Sequence, residues 1–243
     1  MIEARGLEKA FGATRALNGL GFAAHDGAIT GLLGPNGAGK TTALRILCGV
    51  MQPDAGTVSI DGVSTQDRPL EARARLGVLP DGAGLYPRLT AREHIRYFGK
   101  LHGLSGAALE SRIDRLAEQF DMGGVIDRRT QGFSHGERIK TTLARALVHD
   151  PPNVILDEPT NGLDVNAVRS LRKVLSDLRD QGRCVIFSSH VMQEVAALCD
   201  RLVVVYGGRV VAEGTPERVR ELADRDSLED AFVALTHGGE EQL

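Results

Sequence analysis

One octapeptide limits what this chain can fold into more than any other feature: Gly34-Pro35-Asn36-Gly37-Ala38-Gly39-Lys40-Thr41. It fits the pattern G-x-x-x-x-G-K-[ST] in full. The residues before it, Ala28-Ile29-Thr30-Gly31-Leu32-Leu33, read as a buried strand, and 41–50 read as the helix after it. A strand, a glycine-rich turn and a helix start in that order make a cradle for phosphate. The glycines let successive backbone N–H groups point inward, and the helix N-terminus adds its partial positive charge. Lys40 is expected to reach the β- and γ-phosphates and the Thr41 hydroxyl to hold Mg²⁺. Thr42 lies in the same helical turn. A glycine-rich turn without a ligand is the plain alternative, but the complete motif in this strand–helix setting favours a nucleotide.

Around that loop, strand-like and helix-like segments alternate, which predicts an α/β fold with a largely parallel sheet. A second apolar run, Val154-Ile155-Leu156, ends in Asp157-Glu158, and a third, Cys184-Val185-Ile186-Phe187, ends in Ser188-Ser189-His190. Ligands bind just past the carboxyl ends of strands in open α/β sheets. Between Leu85 and Asp150 the pattern turns helical. Thr90-Ala91-Arg92-Glu93 is a capping box, and 105–122 carries Leu109, Ile113, Leu116 and Phe120 at helical spacing. This stretch is expected to form a helical subdomain inserted into the α/β core. Asp164 is expected to cap a helix over 165–179, which Gly182 can end. A hairpin is expected over 201–214, turning at Gly207-Gly208, and Thr215-Pro216 opens a last short helix.

Composition bounds the rest. The 243 residues are 42% apolar and 25% charged, which suits one large globular domain. A net charge of −3 gives no general attraction to nucleic acid or to an anionic membrane, so no nucleic-acid partner is expected. No apolar run approaches the roughly 20 residues of a spanning helix. The first residues lack the apolar core of a signal peptide, and Cys48, Cys184 and Cys199 are too few and too scattered for a disulfide framework or a zinc site. These features predict a soluble, intracellular protein.

The second carboxylate pair completes a nucleotide site. At the end of a strand, neighbouring side chains point apart, which lets Asp157 and Glu158 take different tasks. Asp157 is expected to bind Mg²⁺ through water, and Glu158 to face the γ-phosphate and polarise the attacking water. Three more features narrow the class. Ser134-His135-Gly136-Glu137 opens a helix with Ser134 as its cap and Ile139, Leu143 and Leu147 on one face, a second anion site. Asn161-Gly162-Leu163-Asp164 comes almost at once after the carboxylates. His190 ends the third strand, placed to hydrogen-bond a γ-phosphate.

In this order the residues resemble the nucleotide-binding subunit of ATP-binding cassette (ABC) transporters, over essentially the whole chain. The family's aromatic residue, phosphate loop, Q-loop, signature, second carboxylate motif, D-loop and switch histidine match Phe11, 34–41, Asp81, 133–137, 154–158, 161–164 and His190. The resemblance implies a P-loop NTPase cassette, with a mixed, mostly parallel core sheet, an N-terminal antiparallel β part and an inserted helical subdomain. It implies a single ABC ATPase domain over 1–243. Residues 1–84 and 151–220 would form the α/β core, about 85–150 the helical signature subdomain, and 221–243 a short C-terminal tail. ATP and Mg²⁺ are the implied cofactors. Phe11 would stack on adenine, Ser134 and Gly136 would contact the γ-phosphate on a partner subunit's ATP, and Asp164 would belong to the nucleotide-binding set. Glu158 would be the catalytic base beside His190 and Lys40, with Thr41, Asp81 and Asp157 around the metal.

Two positions depart from the common family pattern. Asp81 replaces the usual glutamine; a carboxylate can accept from Mg²⁺-bound water but donates no hydrogen bond. The signature reads Phe-Ser-His-Gly-Glu rather than Leu-Ser-Gly-Gly-Gln. Ser134 and Gly136 survive, and His135 reads as a solvated helix-start residue rather than a phosphate ligand. The segments Gly84-Leu85-Tyr86-Pro87-Arg88-Leu89-Thr90 and Ser227-Leu228-Glu229-Asp230-Ala231-Phe232 resemble ABC-2-type exporter subunits that serve short six-helix permeases, the sodium-extruding group nearest. The resemblance thus implies an ATPase that pairs with a second copy of itself around ATP and powers a separate permease. It would sit peripherally on the cytoplasmic face of the membrane. A soluble cassette ATPase acting on ribosomes or DNA is the rival, but such proteins bring paired cassettes, coiled-coil insertions or zinc modules not seen in this sequence. A non-hydrolysing regulatory cassette is opposed by intact Lys40, Asp157, Glu158 and His190.

Overall fold

The computed structural model describes residues 1–82 and 84–237. Strands β1 (Ile2–Phe11) and β2 (Thr14–Ala24) form an antiparallel hairpin. β4 (Ala55–Ile60) pairs with the other edge of β1, and β5 (Val63–Ser64) with β4, giving a four-stranded antiparallel sheet. The second sheet has six strands in the order β10-β9-β3-β8-β7-β6. Five of them run parallel: β3 (Ala28–Leu33), β6 (Leu76–Leu79), β7 (Asn153–Leu156), β8 (Cys184–Ser189) and β9 (Arg201–Tyr206). β10 (Arg209–Gly214) is an antiparallel edge strand, joined to β9 by the turn at Gly207-Gly208. The mixed, mostly parallel core sheet and the separate antiparallel part are those expected.

Side-chain alternation along the parallel strands divides the interior in two. Ile155, Ile186, Val203 and Leu32 face the antiparallel sheet, where they meet Ile2, Leu7, Leu20 and Ile60. Helix α1 (Lys40–Leu47) lies in this layer and contributes Leu44, Ile46 and Leu47. Val154, Leu156, Val185, Phe187, Ile29 and Leu33 face the other way, onto helices. All six residues of β8 are buried, so a polar residue within it must find its partner inside the protein.

After α2 (Pro69–Ala74) and β6, three helices precede β7: α3 (Ala91–Leu101), α4 (Gly106–Gln119) and α5 (His135–Leu147). Capping boxes begin two of them. The Thr90 hydroxyl accepts from the Glu93 N–H at 3.1 Å in α3, and Ser134 and Glu137 reciprocate in α5. Ile95, Ile113 and Leu143 bring these helices together over the sheet. α6 (Val165–Asp180) comes after β7, and α7 (Met192–Leu198) after β8. The helix opened by Thr215-Pro216, α8 (Pro216–Ala223), is not the last: α9 (Leu228–His237) comes after it. Ser227 caps α9 by accepting from the Asp230 N–H at 3.0 Å, and Leu228 and Ala231 bury one side of it.

His149, just past α5, ties that helix to the sheet. Its Nε2 donates to the Leu76 carbonyl of β6 at 3.0 Å, its ring stacks on His102 at 3.6 Å, and its Nδ1 is buried without a hydrogen-bond partner. Burial pushes the His149 imidazole down to about 4, and neighbouring His102 acts in the same direction. The unfolded chain therefore takes up a proton near pH 6.5 that the folded one refuses. Stability is expected to fall as the pH drops from about 6.5 towards 4. In thermal unfolding across that window, His149→Gln should flatten this part of the pH dependence; superimposable profiles would rule the assignment out.

Candidate functional site

β6 and β7 end level with one another, β3 and β8 run two residues further, and the residues just past these four carboxyl ends make up the site. β3 runs into the phosphate loop, β6 into Pro80-Asp81, β7 into Asp157-Glu158, and β8 into His190. The register sets Leu79 beside Leu156, Leu156 beside Phe187, and Leu33 beside Ser189. Residues far apart in sequence thereby share one edge of the sheet.

The phosphate loop is backed by main chain on its outer side. A Cβ on Gly34 would lie 2.4 Å from the Val205 carbonyl oxygen, and one on Gly39 would lie 2.5 Å from that of Ala16. Gly39 also has φ of 104°, which disfavours side chains. With the loop held by glycine, Lys40 packs to 5% exposure and its Nζ donates to the carbonyls of Gly34 at 2.7 Å and Pro35 at 3.3 Å. The same ammonium lies 3.4 Å from Glu158 Oε1.

The two carboxylates are held differently. Asp157 is 6% exposed; its N–H donates to the Leu79 carbonyl at 2.8 Å and its Oδ1 accepts from the Ser188 hydroxyl at 2.6 Å. Glu158 has φ of 47°, a left-handed conformation that a residue with a side chain rarely adopts. Its N–H donates to the Ser188 oxygen at 2.9 Å, and its Oε2 is 2.9 Å from His190 Nδ1. One buried hydroxyl thus fixes the carboxylate of Asp157 and the main chain of Glu158. Sequence reasoning misses Ser188; its signal is a hydroxyl one position past the apolar run of a strand buried on both faces.

A cavity of 380 Å³ opens over these groups, walled by Pro35, Asn36, Gly37, Gly39, Lys40, Thr41 and Thr42 together with Phe11, Asp81, Glu158 and His190. Phe11 is 50% exposed, with the Lys9 ammonium 5.9 Å from its ring centre, and its ring lines the cavity where a planar ligand can stack. Gly34 and Ala38 support the loop from beneath, both buried. Thr41 Oγ1 lies 3.4 Å from Asp157 Oδ1. Two hard oxygen donors beside a phosphate cradle fit Mg²⁺, which takes one or two protein ligands and fills its shell from phosphates and water. No group of three or more His, Cys, Asp or Glu converges on a metal position among the described residues.

Three other expected site residues lie elsewhere. Ser134 and Gly136 stand at the start of α5, and Asp164 Oδ1 caps α6 by accepting from the Ala167 N–H at 2.8 Å. Among the described residues, none of these three lines the cavity. His135 is exposed but not merely solvated: its Nε2 lies 2.9 Å from the Asn161 carbonyl oxygen.

A sequence model of the ABC transporter family matches residues 17–161. The chain belongs to the ABC transporter family. It is 39% identical over 221 residues to the ABC transporter ATP-binding protein NatA of Bacillus subtilis strain 168, covering 90% of each protein. It is 42% identical over 220 residues to Nod factor export ATP-binding protein I of Burkholderia lata, covering 90% of this chain and 72% of that one. A solved ATP-binding subunit of an ABC transporter has the same fold, with a TM-score of 0.88 at 31% identity over 97% of this chain and 99% of that one. A dimeric bacterial ABC cassette shares the fold at 24% identity, with a TM-score of 0.81 over 88% of this chain and 98% of that one. The cassette is thus an ATP-binding subunit of the transporter family, and ATP hydrolysis is its reaction.

Replacing Ser188 by Ala leaves the Glu158 N–H without its acceptor and Asp157 without its donor. Loss of stability of about 1–3 kcal/mol is expected, together with a fall in ATP turnover larger than any fall in ATP affinity. Ser188→Thr, which keeps the hydroxyl, should stay closer to the parent. Denaturant unfolding, nucleotide binding and steady-state hydrolysis on the same preparations test this; an alanine variant with undiminished turnover would remove Ser188 from the site.

Proposed function

We propose that two copies of this cassette close around two ATP molecules beneath a separate permease and drive export from the cytoplasmic face of the membrane. The observation that carries this reading is the one-sidedness of the nucleotide cavity. Lys40, Thr42, Glu158 and His190 line it, whereas Ser134 and Gly136, at an exposed helix start suited to an anion, stand outside. A second chain, packed head to tail, would supply that helix start to the open side, each copy lending Ser134 to the other's nucleotide. Such an isologous pair is the commonest oligomer symmetry. Residues 1–84 and 151–220 act as the core that holds ATP, 85–150 as the signature subdomain and 221–243 as a short tail, of which 238–243, like residue 83 of the core, lie outside the described residues.

In this mechanism Phe11 stacks on the adenine and the loop N–H groups of 34–41 hold the phosphates, with Gly34 and Ala38 shaping the loop and Thr42 in its first helical turn. Lys40 exchanges its carbonyl partners for phosphate oxygens. Glu158 accepts a proton from water as the water oxygen bonds to the γ-phosphorus and the bond to the β-phosphate oxygen breaks. His190, whose Nδ1 bonds to Glu158 in this structure, orients that carboxylate and turns its N–H to the γ-phosphate once ATP is bound. Asp164, through its cap on α6, sets the loop between Glu158 and that helix. Thr41 and Asp157, with Asp81 beside them, would hold Mg²⁺, which would supply charge neutralisation on the phosphates.

A second, more apolar groove of 540 Å³ supports the permease contact. Leu44, Val50, Leu76, Val78 and Phe98 line it, Arg45, Arg73 and Arg145 edge it, and Asp81 and Asp157 reach it from the nucleotide side. Among the described residues no helix is long and apolar enough to cross a membrane, which accords with a peripheral subunit. Relatives named for export support the direction of transport; export of Na⁺ is the finer reading, on the resemblance to the sodium-extruding group.

Glu158→Gln should bind ATP normally, lose hydrolysis by about 10²–10⁴-fold, and accumulate as an ATP-bound dimer in light scattering. Unchanged turnover in protein free of contaminating ATPase would reassign the base. Mixing Lys40→Ala with Ser134→Arg should recover part of the hydrolysis that each lacks alone, because one site in the mixed dimer keeps both groups. If mixing recovers nothing, a covalently linked wild-type/mutant pair separates a site lying within one chain, which overturns the shared site, from two sites that must fire together.

A further inference from the structure

The first turn of α5 is tied to the loop after Glu158 by a side chain with no counterpart in a signature carrying glycine. His135 Nε2 lies 2.9 Å from the Asn161 carbonyl oxygen. A carbonyl only accepts, so Nε2 carries the hydrogen and donates. The ring also lies against the backbone of Gly162, where a Cβ would come within 3.7 Å of Nε2. Beside it, a Cβ on Gly136 would meet the Ala167 methyl in the first turn of α6 at 3.6 Å. From Asn161 the path continues, because its N–H donates to the Glu158 carbonyl at 3.2 Å. Two hydrogen bonds therefore run from the imidazole of His135 to the main chain of the strained Glu158 turn.

We infer that His135 is a positioning residue that couples the two nucleotide sites of the dimer through one chain. This rests on the shared-site reading: Ser134 and Gly136 serve the nucleotide of the other copy, while Glu158 serves the chain's own. The imidazole between them sets the distance from the group that senses one γ-phosphate to the base that activates the water attacking the other. His135 touches no reacting atom and forms no part of the wall around the phosphate loop. Its contribution falls on turnover, in which Glu158 must be held in line with its γ-phosphate, and not on the initial capture of ATP by the loop.

The test compares His135→Gln, His135→Asn and His135→Gly in the full chain. Glutamine places an N–H donor near the position of Nε2; asparagine is too short to reach, and glycine has nothing to offer. Relative to the parent, the Asn and Gly variants should lose about fivefold or more in kcat, the scale of one ordinary hydrogen bond. Their KM for ATP should stay within about twofold. The Gln variant should recover most of the turnover. Thermal midpoints guard against a folding defect. Parent-like kcat in both Asn and Gly variants, or a Gln variant as slow as glycine, would overturn the proposal. The same substitutions in a Glu158→Gln background should leave the ATP-bound dimer intact. If Glu158→Gln alone forms no dimer, the shared-site reading fails by itself, while the kcat pattern still decides whether the His135 bond matters within one chain.

Discussion

The hydrogen-bond ladder between β7 and β8 governs the working edge of this molecule. Leu156 opposite Phe187 brings the last two residues of β8 to the level where Asp157 and Glu158 leave β7. The Ser188 hydroxyl can then lie between them, accepting from one residue's N–H and donating to the other's carboxylate. Side chains alternate strictly along a strand, so a slip of one residue would carry Ser188 to the other face. It would also exchange Ile186 and Phe187 between two separate cores. The apolar packing on both faces of β8 therefore enforces the polar geometry at its end.

That geometry carries local costs which the surrounding fold sustains. Glu158 is held in a left-handed conformation of the kind that costs on the order of 1–3 kcal/mol. Lys40 is a buried cation, tolerable because two loop carbonyls and Glu158 surround it. Taken together, Lys40, Glu158 and His190 form a chain of contacts spanning the cavity floor. In the proposed reaction, phosphate oxygens replace the carbonyls around Lys40. Its pairing with Glu158 is then no longer needed to keep the ammonium neutralised, and the carboxylate is free to take a proton.

Sequence alone reveals what is short-range. The phosphate loop announces itself because glycine spacing, lysine and strand–helix context fall within fourteen residues, 28–41. The capping boxes at Thr90 and Ser134 are legible for the same reason: their hydrogen bonds close over three residues. β6 is harder to see, since Leu76–Leu79 is only four residues long and gains strand character from pairing with β7. α9 hides because it is only ten residues long and mostly apolar, so the face it buries, with Leu228 and Ala231, is set by its packing on α8 and the sheet. Ser188 and His135 mark the further limit. Each is an ordinary polar residue until the partner that gives it meaning, 26 to 31 positions away, is brought alongside.

Helix α5 joins these themes, because its two ends meet the two surfaces that the proposed transport cycle must connect. Its start carries Ser134 and His135 against the loop after Glu158. Its far end reaches the apolar groove, where Arg145 stacks over Phe98 at 4.5 Å and donates to the Gly84 carbonyl at 3.3 Å, and His149 bonds to β6. Thirteen residues of α-helix span about 20 Å, and the buried row of Leu143, Ala144 and Leu147 keeps the helix a single packed body. A helix so packed does not absorb a shift at one end by bending in its middle. Movement of its start relative to Asn161 must therefore be met at Gly84 or at Phe98 and Leu76, which line the groove proposed for the permease.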